Sequence, residues 1–297
     1  MRLKLTVLSV VCVLGLMGAT DAVADPVVAA AGDIACPPGM AATATTCAQK
    51  RTSDLIPSAS VVLALGDNQY NSGSYSDYTQ SYAPTWGRFL STTHPVPGNH
   101  EYGTSGAAGY FQYFGTRAGT KGKGWYSFNV GAWHVLALNS ECDKLSGACN
   151  VGGAQETFVR TDLAAHPNKC VLAYWHEPRF SSGSAVVTNA AAMAPIWNDL
   201  YNANADLVLS AHKHAYERFN TLNKSGVVDT VRGMREIIVG TGGEDHAGPA
   251  KQITGSQVRN NTTFGVLKVT LHTTSYNWKF IPEPGGTFTD SGSGTCH

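Results

Sequence analysis

The chain has 297 residues with 21 basic and 21 acidic side chains, a formal net charge of zero, and only 14% of its residues are charged. That balance argues against nucleic acid or a membrane surface as a general electrostatic partner. The length suits one large α/β domain with a substantial core, and no linker, repeat or charge block divides it.

The chain opens MRLKLTVLSVVCVLGLMGATDAVADP. Arg2 and Lys4 give a basic start, residues 5–17 an apolar core, and Ala22-Val23-Ala24 a small-x-small cleavage site. This is the pattern of a secretory signal peptide over residues 1–24, with a single domain expected over residues 25–297. The apolar run is short for a membrane span. A secreted, extracellular protein is expected, with a periplasmic one as the alternative. A lipoprotein anchor at Cys12 is disfavoured, because Val11 stands where a small residue is expected.

Strand-like apolar runs follow, and most end in a polar cluster. Val27–Ala31 leads to Gly32-Asp33, and Val61–Leu65 to Gly66-Asp67. Residues 94–97 lead to Gly98-Asn99-His100-Glu101, and residues 171–175 to His176. Residues 206–210 precede His212 and His214, and residues 237–239 run into Gly240-Thr241-Gly242-Gly243. Helices are expected over residues 42–56, 155–165 and 190–201. Two antiparallel hairpins are expected, with turns at residues 129–132 and 273–275. Interleaved strands and helices with inserted hairpins point to an α/β fold, in which mixed sheets are layered and covered by helices.

Six cysteines remain after the leader: Cys36, Cys47, Cys142, Cys149, Cys170 and Cys296. An even count in an exported chain reads as disulfides. Short separations favour Cys36–Cys47 and Cys142–Cys149, which leaves Cys170–Cys296. A zinc cluster is the alternative, but no pair has close Cys-x-x-Cys spacing.

The polar clusters share one chemistry. Asp33, Asp67, Asn99, His176, His212 and His214 offer carboxylate, amide and imidazole donors suited to first-row metals. His212 and His214 are i and i+2, so both can aim at one site. The donors are too many for one tetrahedral ion and suit two ions sharing a carboxylate, the phosphoryl-transfer arrangement of many hydrolases. Each block has a plainer reading. Gly-Asp after a strand is often a turn, and a lone buried His such as His176 is more often a hydrogen-bonded core residue. Five such blocks, each at a strand end, are much harder to explain that way.

The five blocks, Gly32-Asp33-Ile34-Ala35, Gly66-Asp67-Asn68-Gln69-Tyr70, Gly98-Asn99-His100-Glu101, Ala173-Tyr174-Trp175-His176 and Ala211-His212-Lys213-His214, resemble those of the calcineurin-like metallophosphoesterases. Tyr70, three residues after Asp67, makes the chain similar to the purple acid phosphatase branch, in its small form. The resemblance implies one ion on Asp33, Asp67, Tyr70 and His214, a second on Asp67, Asn99, His176 and His212, and Asp67 shared. A phenolate ligand implies Fe(III) for the first, with Zn, Mn or Fe(II) as the second. His100 is expected to reach the phosphate or protonate the leaving oxygen, and Glu101 to orient it. The implied activity is hydrolysis of small phosphate monoesters by attack of hydroxide on phosphorus. A phosphodiesterase, nucleotidase or phospholipid-directed esterase is the near alternative, and a non-catalytic binding protein the remote one.

The chain departs from the family pattern in places. Ala35 stands where Gly or His is frequent, Ala173 replaces a usual Val, and Lys213 adds a cation between the two histidines. Arg179 and Arg218, close in sequence to ligand histidines, are candidate phosphate contacts, and His246 is a candidate for the rim. His94, His134, His166 and His272 are read as structural. Asn223-Lys224-Ser225 and Asn261-Thr262-Thr263 match the glycosylation acceptor pattern. Nothing in the sequence marks a dimer surface, so a monomer is the default.

Overall fold

The computed structural model describes residue 1 and residues 24–297, apart from residues 58–59, 168–169, 184–186 and 249. The expected signal peptide therefore falls almost wholly outside the described residues. Thirteen strands form among those described. They are β1 Val27–Ala31, β2 Val61–Leu65, β3 Thr93–Val96, β4 Tyr126–Val130, β5 Trp133–Ala137, β6 Cys170–Tyr174 and β7 Leu207–Ser210. After them come β8 Tyr216–Leu222, β9 Met234–Val239, β10 Ser256–Asn260, β11 Gly265–Leu271, β12 Ser275–Pro282 and β13 Ser291–Thr295. The α-helices are α1 Gln49–Ser53, α2 Tyr75–Asp77, α3 Ala108–Phe114, α4 Ala154–Ala165 and α5 Ala194–Asn202.

The strands make two mixed sheets, ordered β13-β12-β11-β1-β2-β3 and β10-β8-β9-β7-β6-β5-β4. Side chains alternate across a strand, and β6 shows the consequence. Leu172 and Tyr174 join the core between the sheets, with Leu209 and Ile237 of the same sheet and Val266 and Phe280 of the other. Val171 and Ala173 face a second core, built with Val159 and Leu163 of α4 and Ile196, Trp197 and Leu200 of α5. A sheet covered on both faces needs near-continuous apolar strands, which is why β6 and β7 are buried along their whole length.

The long helix expected over residues 42–56 is reduced to α1. Thr43 Oγ1 accepts from the backbone N–H of Thr45 and Thr46, a side-chain turn that competes with helix formation. Cys47 has φ of 56° and is bonded to Cys36, which holds the chain out of a helix until residue 49. The expected helix at residue 190 starts instead at Ala194, with a proline in its first turn. All three expected cysteine pairs form disulfides. Cys170–Cys296 ties β13 to β6, so a Ser-Gly-Ser-Gly-Thr stretch of poor strand composition becomes an edge strand.

Strands β1, β2 and β3 run parallel to one another, as do β6, β7 and β9. Their C-terminal ends therefore gather at one margin of the sandwich, where open α/β sheets place their ligands.

Candidate metal centre

Each strand end delivers one polar block to that margin. Asp33 follows β1, Asp67 and Tyr70 follow β2, Asn99 follows β3, His176 follows β6, and His212 and His214 follow β7. The turns are tight. Asp33, Asp67, His212 and His214 have φ between 40° and 68°, a left-handed conformation costly for residues with a Cβ. Two glycines make room: a Cβ on Gly98 would lie 2.3 Å from Asp67 Oδ1, and one on Gly66 would lie 2.6 Å from the Cβ of His176.

The donor atoms converge in two groups. In the first, Tyr70 Oη lies 2.8 Å from Asp33 Oδ1, 3.1 Å from Asp67 Oδ2 and 3.0 Å from His214 Nε2. His214 Nε2 lies 3.2 Å from Asp33 Oδ1. In the second, His176 Nε2 lies 3.1 Å from Asp67 Oδ2 and 3.2 Å from Asn99 Oδ1. His212 Nδ1 lies 3.0 Å from Asn99 Oδ1 and 3.2 Å from His176 Nε2. Asp67 Oδ2 belongs to both groups. Ligands bound at about 2.0–2.2 Å around one ion stand roughly 3.0–3.4 Å from each other, so both groups have the spacing of a first-row coordination shell.

The electrostatics agree with that fit. Burial pushes the carboxyls of Asp33 and Asp67 up, but the imidazoles of His214 and His176 outweigh it and hold both below the usual carboxylate range. Two ionised carboxylates in a dry site demand cations. His214 is pushed up to about 11: burial opposes its charge, and Asp33 and Asp245 overcome that. Burial, then Asp33 and Asp67, hold the Tyr70 phenol well above its ordinary range. A phenolate therefore forms there only beside a strong cation.

The outer contacts were not legible in sequence. His176 Nδ1 donates to the carbonyl of Leu65, which leaves Nε2 as its donor atom. His214 Nδ1 is bonded to Asp245 Oδ1, with Glu244 Oε2 3.6 Å away. Such partners fix tautomer and orientation in metal-ligating histidines. Both acids lie in the Gly242-Gly243-Glu244-Asp245-His246 stretch after β9, a turn composition that does not by itself name a partner for His214.

His100 stands on the rim with its side chain one-third exposed. Its ring packs on Tyr70 at a centroid distance of 4.2 Å, and its Nδ1 donates to the carbonyl of Asn71 at 2.6 Å. Glu101 does not orient it, and that expectation is corrected. Glu101 is fully buried, and both of its oxygens are engaged elsewhere. Oε2 accepts from the N–H of Asp67 (2.9 Å) and Gly98 (2.7 Å). Oε1 accepts from the N–H of Asn68 (2.9 Å) and Gln69 (3.2 Å) and from Tyr78 Oη (2.8 Å). One carboxylate thus clamps the Asp67 loop to the Asn99 loop.

The other rim candidates also lie differently. Arg218 is paired with Asp290 at 2.7 Å and lies over the Trp278 ring, which commits its guanidinium away from the metal ligands. Arg179 lies over the ring of Phe180 at 4.5 Å. His246 stacks on Phe264 at 3.8 Å, with both ring nitrogens buried. None of the three contacts the donor cluster among the described residues. Lys213 is nearly buried near the acids Glu177 and Glu217, and burial holds its ammonium below its ordinary range.

The chain matches the calcineurin-like phosphoesterase family over residues 26–216. It is 28% identical over 215 residues to purple acid phosphatase 15 of Arabidopsis thaliana, a match covering 62% of this chain and 40% of that protein. It is 28% identical over 196 residues to purple acid phosphatase 23 of the same plant, covering 55% and 42%. The matches therefore span less than half of either relative. Among solved structures, purple acid phosphatase PPD1 of yellow lupin (Lupinus luteus) superposes with a TM-score of 0.70 at 17% identity, over 90% of this chain and 53% of that one. GAP50 of Plasmodium superposes with a TM-score of 0.61 at 13% identity, over 90% and 88%. At such identities these two likenesses show the fold alone. Because the family pattern spans the region that carries all five polar blocks, the chain belongs to the calcineurin-like phosphoesterases, a family of hydrolases, with relatives among the purple acid phosphatases.

Proposed function

We infer that this chain is a secreted, single-domain phosphatase that hydrolyses small phosphate monoesters at a two-metal centre. The observation that carries the reading is the sorting of seven donor side chains into two groups that share Asp67 Oδ2. Asp33, Asp67, Tyr70 and His214 would hold the first ion, and Asp67, Asn99, His176 and His212 the second. Tyr70, a hard oxygen donor, selects Fe(III) in the first position; Zn, Mn or Fe serves in the second. When bound, the two ions supply hydroxide at mild pH and neutralise the phosphate oxygens.

The side chains do the rest. Asp67 is held for its shared role from both sides, by Glu101 on its backbone N–H and by the N–H of His100 on its Oδ1 at 2.8 Å. His100 Nδ1–H donates to the carbonyl of Asn71, and Nε2, 4.0 Å from Asp67 Oδ2, faces the donor cluster, so in the doubly protonated ring Nε2 is the atom that hands a proton to the leaving oxygen. Such a positioned acid contributes roughly 10²–10⁴ in rate. His214 is kept from turning by Asp245.

The test is hydrolysis of p-nitrophenyl phosphate and its bis ester, with and without chelator, together with metal analysis and a visible spectrum. The reading expects chelator-sensitive monoester hydrolysis, two metals per chain and an absorption band lost in Tyr70→Phe. Turnover of the bis ester alone makes the chain a diesterase. No turnover of either ester by metal-loaded protein leaves a binding role on this scaffold. GAP50, which shares the fold, is described as an anchor in the inner membrane complex of Plasmodium.

A further inference from the structure

A cleft of about 360 Å³ opens beside the second group of donors. Asn99 and His212 form part of its lining, together with Tyr102, Glu141, Asp143 and Glu177. For a site that receives a phosphate dianion this lining is of the wrong sign. Lys144, the cationic side chain lining it among the described residues, is paired with Asp143 at 2.6 Å and feels Glu141 and Glu177 more weakly, so one cation faces three carboxyls. Glu177 is used structurally: its two oxygens accept from the backbone N–H and the side-chain amide of Asn189 at 2.8 and 2.9 Å.

Glu141 is different. Its side chain is 1% exposed, yet among the described residues its carboxylate has one hydrogen bond, from the neighbouring Ser140 hydroxyl to Oε1 at 3.2 Å. Oε2 has no hydrogen-bond partner there. Burial holds the carboxyl well above its ordinary range, partly offset by His176 and reinforced by Glu177 and Asp67. This is the condition of a buried acid with no adequate cation beside it. Burying a carboxyl costs free energy unless a partner arrives, and the cleft is where one can arrive. Tyr102 lines the same cleft, and an aromatic ring adds attraction for a cation that reaches its face.

We propose that Glu141 and Tyr102 form a subsite for an ammonium group carried by the alcohol half of the substrate, so that the preferred esters are aminoalkyl phosphates. The inference rests on the phosphatase reading and adds the substrate class. The phosphate seats at the metal centre, and the leaving alcohol points along the cleft with its cation against Glu141 Oε2.

Phosphonates provide the test, because they bind without turnover and leaving-group chemistry drops out. Inhibition of p-nitrophenyl phosphate hydrolysis is measured for 2-aminoethylphosphonate and for the nearly isosteric propylphosphonate, which carries a methyl group in place of the ammonium. The wild-type protein is expected to bind the aminoalkyl compound about tenfold more tightly, the worth of one charge-assisted hydrogen bond. Glu141→Gln is expected to bring the two inhibition constants within about twofold, since the amide keeps the volume and loses the charge. Equal constants in the wild type overturn the proposal without any variant, whether or not Glu141→Gln folds. A preference that survives intact in a folded Glu141→Gln also overturns it. If p-nitrophenyl phosphate is hydrolysed but the preference is missing, this inference alone falls. If no phosphate ester is hydrolysed, the phosphatase reading falls and takes it along.

Discussion

Replacing Glu101 by Gln separates a clamp from a catalytic acid. The carboxylate receives five hydrogen bonds, two on Oε2 and three on Oε1. In Glu101→Gln the less damaging arrangement puts the amide nitrogen where Oε2 was. The N–H groups of Asp67 and Gly98 then face a donor and lose their acceptor. A buried donor left unsatisfied costs about 1–3 kcal/mol, so two cost about 2–6 kcal/mol. One effect works against this. Burial and the Asp67 charge push the Glu101 carboxyl up to about 7, so the neutral amide also removes part of a charge-burial cost. The expected loss is therefore at the lower end, about 2 kcal/mol, read from urea midpoints at pH 8. Metal content should fall as well, because Asp67 N–H is one of the clamped groups. His100→Ala is the contrast: it should lower kcat and leave the urea midpoint within about 0.5 kcal/mol, as expected for a rim residue. If Glu101→Gln unfolds at the wild-type midpoint, keeps its metals and still loses kcat, the clamp reasoning is wrong and Glu101 acts in the chemistry.

Two more outcomes are expected. Glu236 is fully buried, and burial pushes its carboxyl up to about 8 from an ordinary value of 4.5. An acid raised in the folded state binds more protons there than in the unfolded chain. Its contribution is thus fully present below the unfolded value and lost as pH rises through about 8. The wild type should lose stability relative to Glu236→Gln between those limits, by up to about 1.4 kcal/mol per pH unit; parallel curves across that window would count against it. Asp245→Asn removes the carboxylate on His214 Nδ1 from a half-exposed position. Metal affinity at the first group should drop about 10–100-fold in chelator competition, with the thermal midpoint little changed. Unaltered affinity would show that Asp245 does not support the ligand.

The parts of the site that the sequence disclosed are those whose signal is local. An apolar run followed by Gly-Asp, or by Gly-Asn-His, names both the strand and the donor at its end, because the strand needs burial and the donor needs a turn. The short separations of Cys36 from Cys47 and of Cys142 from Cys149 are likewise local, and both pairs form disulfides. The fold then set which strand ends meet, and it brought all seven donors together.

Tertiary structure decided what depends on partners distant in the chain. Glu101 lies next to His100 in sequence, yet it turns inward, because four backbone N–H groups and a buried tyrosine hydroxyl converge on it. Arg218 is four residues from His214 but lies on β8, where Asp290, 72 residues further along, claims its guanidinium. The stretch around residue 45 had helical composition and lost the helix to a threonine turn and a disulfide. β13 gained strand geometry from β12 and a cysteine pair, against its own composition. Glu141 carries no motif at all. Burial beside the metal centre, with one weak partner, is what separates it from the chain's other carboxylates, and residue type alone does not encode burial.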